Sequence, residues 1–206
     1  MWDLPPPDPG FEISVASRGM SKGVAQTDGV QFIPKAHLQI GDVQIGGQWK
    51  NVTSTVADGE AAVSVTYAPK VGPYQLSFGG AYKFQTNVKS ETDDTSWEFT
   101  GSASRKFDRL TVKGSAVYSP DDLGTSGHSL YLEGGPSFEI NGTTRVSANI
   151  GHRAREAGVD YTSFNAGISK TLFKRATFDL RYYDTAQSNL GEIYHGRLVL
   201  SGKLAF

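Results

Sequence analysis

The chain has 206 residues, with 20 Lys and Arg against 21 Asp and Glu and a net charge of −1. Nothing in that balance points to a nucleic-acid partner. The absence of Cys excludes disulfides, thiol chemistry and cysteine metal sites. Only 38% of residues are hydrophobic, and no apolar run nears the roughly 18–20 residues of a membrane helix, a test that transmembrane β-barrels escape by alternation.

The opening MWDLPPPDPG lacks the basic start and apolar stretch of a secretory signal. It reads as a mature N-terminus, a Pro-rich leader over residues 1–10 that is expected to be disordered, with a plug or a periplasmic tether as the functional alternative. No segment after it carries the apolar spacing of a helix with caps at both ends. Apolar and polar residues alternate instead. Phe11, Ile13 and Val15 share a face, then Phe32, Pro34, Ala36, Leu38 and Ile40, then Val43, Ile45, Gly47 and Trp49. The same alternation follows through Val63–Tyr67, Tyr74–Phe84, Trp97–Phe107, Leu110–Tyr118, Leu130–Ile140, Thr144–Ile150, Phe164–Leu172 and Ala176–Tyr182. It ends with Tyr194, Leu198, Leu200, Leu204 and Phe206. These are about twelve strands of about ten residues, the length of a tilted membrane-crossing strand.

Very short connections (Gly41-Asp42, 69–73, Asp108-Arg109, Asn141-Gly142, 173–175) alternate with long polar ones. Asn-Gly is a strong hairpin signal. The pattern predicts an all-β fold over residues 11–206: a twelve-stranded antiparallel up-and-down transmembrane β-barrel with short periplasmic turns and longer extracellular loops. An even strand number places both termini at the short-turn, periplasmic side. A soluble sandwich or barrel would also alternate. Two features favour lipid. The apolar face carries two groups of aromatics, expected at the two membrane interfaces. Trp49, Tyr82, Trp97, Tyr118, Tyr182 and Tyr194 fall toward the long loops, and Tyr67, Tyr74, Phe107, Phe138 and Phe206 toward the short turns. Between them lie many small residues, such as Gly80, Gly101, Gly114 and Ala148, which a packed core would not favour. Pro34 and Pro136 inside strands suggest bulges. Arg105 and Lys170, on the lipid face near the short turns, can snorkel.

The stretch VASRGMSKGVAQTDGVQFIPKAHLQIGDVQIGGQWKNV resembles the opening of the TorF family of porin-like outer-membrane proteins of proteobacteria. The shared elements are a first strand ending in Arg18-Gly19, then Ser21, Gln31, and a third strand closing near Trp49 and Asn51; DLRYYDT is similar to that family's C-terminal region. IPKAHLQ departs from the small, Gly-rich second strand of the family. The terminal Phe206 resembles the C-terminal signature read by outer-membrane assembly machinery. The resemblance implies a barrel in the bacterial outer membrane, with the bilayer and lipopolysaccharide as partners, and says little about cargo.

The opposite parity would line the lumen: Arg18, Lys35, His37, Lys50, Glu60, Lys83, Glu98, Lys113, Glu133, Arg145, Asp179, Arg181, Tyr183, His195 and Arg197. Basic residues exceed acidic ones on this face. The expectation is a channel for passive diffusion of small polar solutes or ions with a mild anion preference. The alternative is a non-conducting structural or adhesive barrel with a salt-bridged lumen. No catalytic or cofactor motif is present: H-E-x-x-H, G-x-S-x-G and a nucleotide-binding glycine loop are all lacking. Asp93, Asp94, Asp121, Asp122 and His152 lie at long-loop ends, where acidic residues keep a surface solvated or bind divalent cations bridging lipopolysaccharide.

Overall fold

A computed structural model describes residues 5–89, 93–123 and 127–206. The first four leader residues and parts of two long connections lie outside these. Twelve long strands form the wall: β1 (Asp8–Ala16), β2 (Gln31–Ile40), β3 (Val43–Asn51), β4 (Ala57–Tyr67), β5 (Tyr74–Val88), β6 (Thr95–Phe107), β7 (Leu110–Asp122), β8 (Gly127–Asn141), β9 (Thr144–Arg155), β10 (Tyr161–Leu172), β11 (Ala176–Asp184) and β12 (Arg197–Ala205). Each pairs antiparallel with its neighbours in sequence, and β1 pairs with β12 from Glu12↔Ala205 to Ala16↔Ser201. The ring is closed, so every one of the twelve strands has a neighbour on both sides. The Phe206 N–H donates to the Phe11 carbonyl at 2.9 Å, which fixes the C-terminus into the wall.

The strand boundaries refine the sequence reading at three places. β1 begins at Asp8, inside the segment read as leader, and pairs there with β2 alone (Asp8↔Gln39). β12 reaches only Glu12, so Pro9 faces no ladder that needs its missing N–H. Pro34 and Pro136 interrupt ladders without shifting register. Pairing of β2 with β3 stops at Lys35↔Gln48, and above it Asn51 substitutes, accepting from Phe32 N at 2.7 Å and donating to Val30 O at 2.9 Å. Pairing of β8 with β9 skips from Gly134↔Ile150 to Ser137↔Ser147. The third difference is at the last strand. Two short 3-10 turns, Ser188–Leu190 and Glu192–Tyr194, precede β12, so Tyr194 and His195 stand outside the wall.

The short connections are tight as expected. Asp108 (φ 52), Phe173 (φ 52) and Lys174 (φ 61) take left-handed conformations. Asn141 ends β8, and its side chain accepts from Thr143 N and Thr144 N at 3.0 and 2.9 Å, which moves the turn one residue to Gly142-Thr143.

Outward-facing residues form a continuous apolar exterior. Trp97, Phe99, Tyr118, Leu132, Ile150 and Tyr182 are exposed toward the long loops, and Tyr67, Tyr74, Phe78, Phe107, Phe138 and Phe206 toward the short turns. A surface of this extent matches lipid rather than water. Side chains built on Gly101 or Gly114 would meet no atom within 4 Å, as expected where lipid chains fill the space. Tyr82 packs on Trp97 with ring centroids 5.1 Å apart, and the Trp49 indole donates to Thr86 Oγ1 at 3.0 Å. Arg105 lies over the Phe107 ring at 4.5 Å and the Tyr74 ring at 5.5 Å, a snorkelled cation held by the girdle. Tyr194 is not part of that girdle. It is buried, edge-on to Tyr161 at 5.3 Å, and its hydroxyl accepts from Arg155 at 3.1 Å. The alternation that placed it toward lipid breaks at Gly196, ahead of β12.

Candidate functional site

The first long connection folds into the barrel. Met20–Ser21 pairs with Val24–Ala25 across a Lys22-Gly23 turn with φ 49 and 85, the two positive φ values of a tight hairpin. On one side, Tyr161 on β10 donates its hydroxyl to the Lys22 carbonyl at 2.8 Å, Gly23 lies so close to Ser163 that a side chain would collide, and Val24 packs on Tyr161 and Tyr194. On the other side, Lys22 Nζ reaches Glu98 on β6 at 3.0 Å. Gln26 accepts from Lys50 on β3 at 2.8 Å. The ribbon therefore spans the lumen from wall to wall.

Beside its tip runs a row of ion pairs: Lys50–Glu60 at 3.1 Å, Glu60–Lys83 at 3.9 Å, Lys83–Glu98 at 2.6 Å and Glu98–Lys22 at 3.0 Å. Lys50 and Glu60 are buried. Alternate positions on β3, β4, β5 and β6 point inward, so one side chain from each strand meets the row. Asp122 accepts from Arg153 and, at 2.7 Å, from Ser129. Tyr131 donates to Glu133 at 2.8 Å. Burial presses the Lys22 ammonium below its ordinary value, while Glu98 pulls the other way.

Toward the short turns the polar lining is looser. Arg181 bonds Asp179 at 3.1 Å, Asn165 at 2.7 Å and Ser147 at 2.8 Å. Lys203 pairs with Glu12, and Lys106 with Glu139, each at 3.2 Å. Among the described residues, Lys35, Lys113 and Arg145 have no carboxylate within 4.0 Å. His37 lies against Gly10, whose lack of a side chain leaves room for the ring.

Polar space persists on both sides of the ribbon. An outer vestibule of about 320 Å³ is lined by Lys22, Gln26, Thr53, Lys83, Asp122 and Arg153. Below lie a chamber of about 300 Å³ with Lys35, Gln48, Lys50, Glu60 and Glu98, and another of about 290 Å³ with Glu133, Asn149, Asn165, Arg181 and Tyr183. A space of about 310 Å³ lined by Glu139, Arg145 and Lys203 follows at the short-turn end.

Most expected lining residues face this interior. One behaves differently, and Arg18 has a second role besides lining a space of about 280 Å³ with Asp179 and Tyr183. His195 sits in the last long connection, half-exposed, with Nε2 3.0 Å from Ser188 O and Nδ1 3.4 Å from Glu192. Arg18 stands just past β1, donating to Thr27 O at 2.7 Å and pairing with Asp28 at 3.2 Å. With Arg197 it holds Glu192, at 3.8 and 3.6 Å, and so ties the first and last long connections together. Sequence reasoning missed Lys22, Arg153 and Tyr161, and it left Asp122 on an exterior loop. The available signal was Lys22-Gly23, a hairpin turn inside a long loop. His152 shares the exterior parity and is 3.0 Å from Thr162 Oγ1. Among the described residues, no His, Asp or Glu cluster could hold a metal ion.

No family model and no curated protein matches the chain. Solved structures do. A KdgM porin matches with a TM-score of 0.68 at 8% identity, covering 96% of this chain and 99% of that one. A NanC porin matches with a TM-score of 0.63 at 10% identity, covering 95% and 97%. An outer membrane channel from Pseudomonas putida F1 matches with a TM-score of 0.58 at 12% identity, covering 96% and 95%. The chain has the fold of these porin-like outer-membrane barrels.

Proposed function

We propose that the protein spans a bacterial outer membrane as a non-enzymatic channel, passing small polar solutes or ions by diffusion with a mild preference for anions. The likeness to porins supports the channel, and the TorF-like stretches agree with it. The observation that carries the anion preference is the trio Lys35, Lys113 and Arg145, cations facing the lumen with no carboxylate within 4.0 Å among the described residues. Bilayer lipid contacts the apolar exterior, and lipopolysaccharide meets the long-loop rim. In a planar bilayer with a KCl gradient, the reversal potential is expected on the anion-selective side. A cation-selective sign overturns the preference. The second reading, a non-conducting barrel, draws on the ion-pair row beside the ribbon; a folded barrel that carries no current would establish it.

A further inference from the structure

Ser21, Glu60 and Lys83 line both the outer vestibule and the chamber below it, and Ser21 and Lys22 line both the vestibule and the Arg181 chamber. The partition between outside and inside is therefore thin, and at Lys22, Lys83, Glu60 and Glu98 it consists of side chains. The members of this partition are not held alike. The Lys22 backbone is fixed by Tyr161, but its ammonium rides on a flexible four-carbon stem at a hairpin tip. When it leaves Glu98, that carboxylate keeps Lys83 at 2.6 Å and is not orphaned. Lys22 is also close enough to Asp122 to feel its charge, which offers an alternative partner on the vestibule side. Arg153, by contrast, is the ionic partner of Asp122 and is anchored.

We propose that the Lys22–Glu98 ion pair is a side-chain gate: moving the Lys22 ammonium off Glu98 joins the outer vestibule to the inner chambers without moving a strand. The gate rests on the channel reading. It makes Lys22, a residue of a loop, the narrowest control point of the path.

The chain lacks Cys, so a Lys22→Cys variant can be modified at that position alone. In single-channel recordings, Lys22→Cys and Glu98→Gln are each expected to raise conductance about threefold over the unmodified protein, since a constriction limits flow. A thiol reagent that adds an aminoethyl group to Lys22→Cys restores an ammonium and is expected to return the current toward its starting value. A small neutral methyl reagent leaves it high. Lys89→Ala, which removes an exterior pair with Asp58, is expected to change nothing. Variants that fold, as shown by heat-modifiable gel migration, yet carry the unmodified protein's current overturn the gate and leave the channel standing. No current from any folded variant overturns the channel and the gate together.

Discussion

The two halves of the lumen use the same residue types and pair them differently. Toward the long loops, Lys22, Lys50, Lys83 and Arg153 meet Glu60, Glu98 and Asp122 in a packed row under the ribbon. Toward the short turns, Lys106–Glu139 and Lys203–Glu12 pair more openly, and Lys35, Lys113 and Arg145 have no carboxylate within 4.0 Å among the described residues. Burial explains the contrast. Where the ribbon excludes water, an unpaired charge is costly, so each finds a partner. Where the lumen is wet, a free cation costs little and leaves a lasting positive field. On the proposed channel reading, the upper half holds structure and carries the Lys22–Glu98 gate, and the lower half biases ion selectivity.

The sharpest way to break this division is Arg153→Met. It leaves the Asp122 carboxylate with Ser129 and without its guanidinium. Loss of one partner of a buried pair is expected to lower stability by about 3–5 kcal/mol, read as a lower urea midpoint for unfolding from lipid vesicles. A midpoint unchanged from that of the native protein would mean the upper pairs are solvated like the lower ones.

The second test moves to the other half. Replacing Lys35, Lys113 and Arg145 together by Gln removes three unpaired charges. The reversal potential is expected to move toward the cation-selective side, while the stability change per site stays within about 0.5 kcal/mol. A large loss of stability with selectivity unchanged would reverse the roles assigned to the two halves.

The legible and hidden parts of the molecule follow the same line. The alternation from Phe11 to Phe206 reports which side of a strand meets lipid, because that contact repeats every second residue. It identified the wall and the strand faces on which residues such as Glu60, Lys83 and Arg181 lie. It could not report where a loop goes. The ribbon's inward fold depends on Tyr161 and Ser163, about 140 residues away in sequence, and no local period encodes such a contact. Tyr194 failed for a related reason: its even spacing from Leu198 imitates a strand, but Gly191 (φ 127) and two 3-10 turns carry the ring onto Tyr161. Asp122 was misplaced because register shifts lie between Ser119 and Asp122 against β8 and between Tyr118 and Asp121 against β6, and they turn the strand end inward.

The smallest effect is expected at the rim, where the upper half itself becomes wet. Glu156 is exposed and accepts from the His128 N–H at 3.2 Å and from the His128 ring at 2.8 Å. These bonds, the backbone one first, hold its carboxyl below the ordinary 4.5. A depressed carboxyl contributes stability that is fully present above the ordinary value and is lost as pH falls through the lowered one. Protection of the His128 amide against hydrogen exchange, corrected for the intrinsic rate, is therefore expected to stay level down to the ordinary carboxylate range and to fall only below it. The ladder amides of β8 and β9 near Glu133↔Gly151 are expected to hold throughout. Protection lost already well above the ordinary carboxylate range would show that the carboxylate does not control this end of the barrel. Simultaneous loss along β8 and β9 would show that the rim pair belongs to the buried row, which would extend the packed half to the surface.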